Sequence, residues 1–420
     1  METVKPKRTS PVPVIIACLV VQLCVGILYL WSVFRNPIIA TFNMSVDAAT
    51  MVSSYNLFAF TLGNLLGGIL LDRKGPKITA IIGVVLFSLG IFLTGLLTEK
   101  SIGLINLTYC VMGGIGTGFA YGACLNCLQK WMPHRRGLAS GLAVCAFGLS
   151  TVLFSPFCTF LINTFKTGDA VVEGVATVTT NFQSVFFTMA AIFIVLGLAS
   201  CILIKLPSDE YITSLNLPAA QTTDVKSYTF GQAVKTLPFW ALIASVFFIN
   251  AVWNVSLPLI KSLGMERGLS DAAATLVVSI TGITNAAGRL IMAALSDKIG
   301  RITSIIILSV ITVVSGFLMT FVGGIGFGIV VAILAFAFGG PSSIHAAMST
   351  DFFGPKYSGT NYGVIMLMLG LSSIFFNFLS RNIMGGRVIP TFIVASITAI
   401  IPAIAMIAIK ITMKKKEKEA

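Results

Sequence analysis

Charge is what this sequence has least of. Only 10% of its 420 residues are Asp, Glu, Lys or Arg, against about 25% in soluble chains. No polar stretch is long enough to fold a core of its own, which leaves no room for a soluble catalytic domain. Histidine occurs twice, and the eight cysteines are scattered without paired or metal-ligand spacing. Most lie inside apolar runs, where a free thiol behaves as a small hydrophobe. Neither a disulfide framework nor a metal site is expected. Nothing resembles a P-loop or a haem-attachment motif, so no cofactor, no primary pump and no membrane enzyme is expected. An intramembrane enzyme would also need paired catalytic groups at matched depth, and the apolar runs hold one Arg, one His and no acid at such depth.

Apolar residues make up 56% of the chain, in runs of roughly 20 residues that match a hydrocarbon core about 30 Å thick. They fall near 12–34, 49–71, 78–98, 102–129, 137–162, 182–206, 237–262, 270–296, 302–321, 325–350, 360–382 and 388–410. The expected fold class is an all-α polytopic membrane protein with twelve transmembrane helices in two six-helix bundles. The first run follows Lys5, Lys7 and Arg8 but is too long for a signal peptide's apolar region and lacks a cleavage site, so it counts as a span.

The net charge of +13 does not point to nucleic acid, because most of the excess sits in short loops and tails. With both termini cytoplasmic, 20 of the 28 cations fall on the inner side and six on the outer, namely Arg35, Lys100, Lys166, Lys261, Arg267 and Arg387. That distribution satisfies the positive-inside rule. The expected location is the cell membrane, multi-pass, with a monomeric chain in the bilayer.

The longest polar stretch, 207–236, divides the chain into an expected bundle at 1–206, a cytoplasmic linker and a second bundle at 237–420 with a basic tail. A weak repeat supports the division. Gly63 to Gly75 matches Gly288 to Gly300 at a constant offset of 225, pairing Asp72 with Asp297. Parallel repeats place a substrate site between the halves near the midplane.

Arg289 is the one charged side chain well inside a span, eight residues before Asp297 and hence roughly 12 Å from the cytoplasmic end. A cation at that depth costs on the order of 3 kcal/mol, and such residues face the bundle interior or a water-filled cavity. A substrate carboxylate suits its planar guanidinium; the alternative is a structural Arg satisfied by backbone carbonyls and water. The matching position in the first half is the neutral Asn64. Asn285, one turn away, would orient Arg289, bond a substrate hydroxyl or pack between helices. Tyr121 lies at matching depth in a glycine-rich span. Tyr29, Asn250 and Asn254 are further substrate-binding candidates, each with interhelical bonding as the alternative. Pro258 is expected to bend the seventh span. His345 is either a proton relay or a packed, hydrogen-bonded imidazole.

Gly67, Gly68, Asp72, Arg73, Gly75 and Lys77 form a G-x-x-x-D-R-x-G loop, echoed by Asp297, Lys298, Gly300 and Arg301. An acid followed by bases in a tight glycine turn can dock on neighbouring helix ends and close the cytoplasmic face, or it can serve as a topological anchor. With twelve spans, this loop resembles the signature of the major facilitator superfamily. Two further segments, Cys24 to Ile38 and Gln129 to Ser150, resemble the oxalate/formate antiporter family, a neighbour of the monocarboxylate transporters. The resemblance implies carriage of small carboxylates, with protons as a possible second partner. Dicarboxylate carriers of that family place a lysine in the eleventh helix, whereas Asn361 to Phe375 contains no Lys or Arg, which favours a monocarboxylate such as lactate or pyruvate. An acid that the related transporters carry at the position of Asn285 is absent. Proton symport would need an outer acid, with Glu266 and Asp271 the candidates and Arg381 or Arg289 the pairing cation. The alternatives are anion exchange and, further off, a non-transporting membrane sensor on the same fold.

Overall fold

The computed structural model describes residues 10–172, 175–215, 227–385 and 387–419. Among them, eleven helices are long and apolar enough to cross a membrane, and a shorter apolar helix precedes them. We label the twelve spans in chain order. α1 runs over Val12–Val25, passes through a 3-10 turn at Gly26–Leu30 and continues as Trp31–Phe42. α2 is Val46–Lys74, α3 Pro76–Gly95, α4 Glu99–Trp131, α5 Pro133–Thr164 and α6 Phe182–Leu203. The second six are α7 Leu237–Ser256, α8 Asp271–Ile299, α9 Arg301–Leu318, α10 Gly324–Phe353, α11 Ser358–Phe378 and α12 Val388–Met413. An even number of crossings puts both ends of the chain on one side, here called the terminal face.

Boundaries follow local chemistry. Ser45 and Ser270 cap α2 and α8 by accepting from the backbone N–H three residues on, which satisfies donors that a first turn leaves orphaned. At their other ends, Gly75 and Gly300 adopt φ +80° and +89°, a region that residues with a Cβ avoid. The chain turns sharply there into α3 and α9.

Three features depart from the expected spans. α1 extends to Phe42 rather than ending at 34, so Arg35 lies within a helix; its Nη1 donates to Asn36 at 2.9 Å. Between α5 and α6, a hairpin of β1 (Lys166–Val172) and β2 (Val175–Thr180) pairs antiparallel. Its Val and Thr residues suit strands, and Thr180 ties it down by donating to the Ile162 carbonyl at 2.5 Å. Cys18, Cys124 and Cys127, scattered in the sequence, meet inside the first half within side-chain hydrogen-bonding reach, and all eight cysteines are free.

The interrupted helices follow the repeat. α7 breaks at Asn250, resumes at Ala251–Ser256, and passes through a 3-10 turn at Leu257–Leu259 into a short helix, Ile260–Glu266. The bend expected at Pro258 is that 3-10 turn. Adding the repeat offset to Gly26, where α1 breaks, gives Ala251. Each half thus opens with a helix interrupted at the same depth, about 20 Å from the terminal face at 1.5 Å per residue.

Small residues let helices of the first half touch backbone to backbone. A Cβ on Gly118 of α4 would stand 2.3 Å from the Asn64 amide nitrogen and 2.4 Å from the Phe60 carbonyl oxygen of α2. Gly118→Val is expected to destabilise the protein by about 1–3 kcal/mol or more, the range for overpacked interiors, and to lower its thermal unfolding midpoint in detergent. Gly282→Ala, at a position with nothing within 4 Å of the added Cβ, should leave that midpoint unchanged or raised. Equal midpoints for the two variants would refute this packing account.

Candidate functional site between the halves

Arg289 on α8 is 5% exposed and reaches across to the other half. Its Nε donates to Asn285 Oδ1 at 2.7 Å, and its Nη1 donates to the Val144 carbonyl of α5 at 2.9 Å. The absent side chain of Gly148 makes room, since a Cβ there would lie 2.9 Å from Nη1. Asn285 therefore orients the guanidinium, one of the roles read for it from the sequence. Val144 was not among the candidates, because a backbone carbonyl leaves no mark in the sequence.

Tyr121 on α4 is packed edge-on against Phe60 and Phe147, with centroids 5.2 and 5.1 Å away. Its phenol lies within side-chain hydrogen-bonding reach of Tyr362 on α11, and the Tyr362 hydroxyl donates to the Ser342 carbonyl at 3.3 Å. Tyr362 stands in the segment Asn361 to Phe375, singled out only for its lack of Lys or Arg. Its hydroxyl, the sole phenol in that run, was the available signal. Asn64, the repeat mate of Arg289, is buried, and its amide nitrogen has no hydrogen-bond partner among the described residues.

The remaining candidates separate. Asn254 Nδ2 donates to Ser372 Oγ at 3.1 Å, and Ser372 donates to the Phe247 carbonyl at 2.6 Å, a strut between α7 and α11. Asn250 donates to Val246 of its own helix at 2.7 Å, while its Oδ1 is buried with no partner among the described residues. His345 lies 2.8 Å from Ser245 Oγ through Nε2 and bonds the Pro341 backbone. With both partners inside the second half, this is the geometry of a packed, hydrogen-bonded imidazole. Glu266 is exposed at the end of the short helix that precedes α8. The side chains of Tyr29, Asp271 and Arg381 lie outside the described residues, as does linker segment 216–226.

At the terminal face the repeated aspartates do the same thing to opposite partners. Asp72 of α2 accepts from the Gly359 and Thr360 amides at 3.0 and 2.7 Å, the first turn of α11. Asp297 of α8 accepts from the Gly137 and Leu138 amides at 3.0 and 2.9 Å, the first turn of the α-helical part of α5, which follows a 3-10 turn at Pro133–Arg135. A carboxylate on an N-terminal turn meets both orphaned donors and the positive end of the helix dipole. Arg301 pairs with Asp297 at 2.9 Å and with Asp351, and Arg136 of the first half pairs with Asp351 at 2.9 Å. Arg73 departs from the expected set: it is exposed and forms no ion pair among the described residues. The base beside Asp72 is instead Lys130 of α4. Two neutral bonds complete the face, Asn126 to Ser358 and Thr350 to Gln129 Oε1, the latter at 2.6 Å. Among the described residues, the hydrogen bonds and ion pairs joining the halves lie between the level of Arg289 and this face.

A family model described as Major Facilitator Superfamily matches residues 14–377. The chain belongs to that superfamily. It is similar to the oxalate:formate antiporter of Oxalobacter formigenes, 28% identical over 376 residues covering 86% of this chain and 82% of that one. It is also similar to apicoplast pyruvate carrier 1 of Toxoplasma gondii, 24% identical over 475 residues covering 91% and 85%. The solved fucose:proton symporter of E. coli superposes with a TM-score of 0.66 at 16% identity, over 94% of this chain and 98% of that one, and establishes the shared fold. As a member of the superfamily, the protein is a multi-span membrane transporter.

Replacing Asp297 with Asn should weaken the terminal face. The amide's NH2 would confront an N–H, and hydrogen bonds to a charged group contribute about 1.5–3 kcal/mol. The ratio of open to closed forms should rise about tenfold or more. The readout is alkylation by a water-soluble maleimide at Ala346→Cys, a buried position in the cleft between the halves. Equal alkylation rates with and without Asp297→Asn would sink the idea.

Proposed function

We propose that the protein carries small monocarboxylates of the lactate and pyruvate type by alternating access, with Arg289 receiving the carboxylate. The observation that carries this reading is the bond from Arg289 across to Val144. The cation stands at mid-depth between two bundles and already contacts both. An arriving carboxylate would exchange with the Val144 carbonyl at Nη1, gaining a charge-assisted, bidentate contact. That exchange would release a bond between the halves at the moment the site fills. Asn285 fixes the plane of the guanidinium, and Tyr121 with Tyr362 supplies phenols at the same level. The relatives named for oxalate, formate and pyruvate support a carboxylate as substrate. The run Asn361 to Phe375, without Lys or Arg, supports one carboxylate rather than two, because a second would be costly to desolvate.

By the positive-inside rule the terminal face is cytoplasmic. Asp72, Asp297 and Arg301 then close the inner gate, and the observed conformation is the one closed to the cytoplasm.

On coupling, the geometry supports anion exchange over the proton symport expected from the resemblance. Asp271 begins α8 eighteen residues before Arg289, about 27 Å along the helix, and Glu266 is exposed beyond it. Neither can accompany Arg289 during the return of an empty carrier. The empty carrier instead keeps Arg289 bonded across the halves, and a substrate anion on either side is what frees it.

In proteoliposomes, Arg289→Ala should abolish uptake of labelled lactate, and Arg289→Lys should reduce it at least tenfold, because ammonium cannot form the bidentate pair. Normal lactate transport by Arg289→Ala would overturn the assignment, and strong saturable oxalate exchange would overturn the monocarboxylate preference.

Coupling is read separately. Uptake should require a carboxylate trapped inside and ignore an inward proton gradient. Gradient-driven uptake into anion-free vesicles would establish symport.

A further inference from the structure

The two halves enclose a small polar cavity of about 10 Å³ between the Tyr121–Tyr362 pair and the terminal face. Asn64 of α2, Gly122 and Asn126 of α4, Ala346 of α10 and Tyr362 of α11 line it. Tyr362, whose phenol meets Tyr121, stands at its mid-depth end. At the other end Asn126 donates to Ser358, and Thr350 donates to Gln129. These four residues also line a cavity of about 700 Å³ that opens at the terminal face. Two hydrogen bonds between the halves therefore separate the small cavity from the larger one.

Two complementary groups in the lining have no hydrogen-bond partner among the described residues, the donor Nδ2 of Asn64 and the acceptor Oδ1 of Asn126. Asn64 is 1% exposed and Asn126 5%. The orientation of Asn126 is fixed by its neighbour. Ser358 donates its one proton to the Pro355 carbonyl at 3.0 Å, so it can only accept from Asn126 Nδ2, and Oδ1 is the group left over. Packing sets the spacing of the two amides. A Cβ on Gly122 would stand 2.8 Å from Asn64 Oδ1, and Asn126 lies one turn further along the same face of α4, about 5–6 Å away. That is the span of two hydrogen bonds of about 2.9 Å through one shared atom. The cavity also matches the roughly 10–15 Å³ that a single water needs.

We propose that this cavity binds one ordered water, which accepts from Asn64 Nδ2 and donates to Asn126 Oδ1 and so lets the halves close without stranding either amide. When the terminal face opens, bulk water serves both groups. The bridge therefore matters only in the closed form. Leucine in place of Asn64 would leave Asn126 Oδ1 unpaired in that form alone and shift the population toward the open one. In a dry cavity the same substitution would remove an unpaired buried donor and favour the closed form, so the two cases differ in sign. The inference does not depend on Arg289 or on which acid the protein carries.

Pulsed X-ray radiolysis of the full-length protein in nanodiscs reads such a water directly, because hydroxyl radicals formed from it oxidise the side chains beside it. Oxidation of Leu125 or Tyr362 is expected, both in the lining and both buried. It should fall at least fivefold in Asn64→Leu and in Ala346→Val, which fills the cavity with methyl groups. No oxidation of either side chain in the unaltered protein, or oxidation that neither variant reduces, would overturn the proposal. The sign is read by maleimide alkylation at Ala293→Cys, a buried position against Gly141 of α5 and outside the cavity lining. Adding Asn64→Leu should speed that alkylation about fivefold or more. An unchanged or slower rate means that no water pairs the amides, and the proposal falls.

Discussion

Two carboxylates, each seated on the first turn of a helix from the opposite half, are the contacts on which the rest of this architecture turns. Asp72 and Asp297 are repeat mates, yet neither closes on its own bundle. A helix N-terminus inside a membrane protein has donors that lipid cannot satisfy, and a carboxylate at a helix end is costly unless its lone pairs are filled. Each feature answers the other only when the bundles meet. The terminal face is thus held by mutual need between these groups, set on close packing of α2 against α11 and of α5 against α8.

The same logic operates at mid-depth with weaker partners. Arg289 bonds an amide on its own helix and a carbonyl on the other half, contacts that a carboxylate would outcompete because charge-assisted bonds are stronger than those to neutral dipoles. Further from the terminal face, the interruptions of α1 and α7 fall at equivalent points of the repeat. Irregular backbone at membrane depth is tolerated where protein or a water-filled cavity surrounds it.

The repeat is symmetric in backbone and asymmetric in charge. Asn64 occupies in the first half the repeat position that Arg289 holds in the second. At the terminal face, the second half answers with a chain from Asp297 through Arg301 and Asp351 to Arg136, where the first half has Lys130 beside Asp72. One motif has been specialised twice.

Properties local to the chain were legible in the sequence. Twelve apolar runs specify twelve crossings because bilayer thickness fixes the length of a span, and an offset of 225 exposes the repeat. A lone cation in such a run marks Arg289 because burying it needs a reason. Contacts between distant residues were not legible, because helix rotation and tilt are set by packing against neighbours and hydropathy does not encode them. Only the tertiary structure could decide that Val144 receives Arg289, that Tyr362 meets Tyr121 and that three separated cysteines converge. The same packing left Arg73 in solvent while Lys130 took the place beside Asp72, and it turned His345 and Asn254 toward partners within their own half.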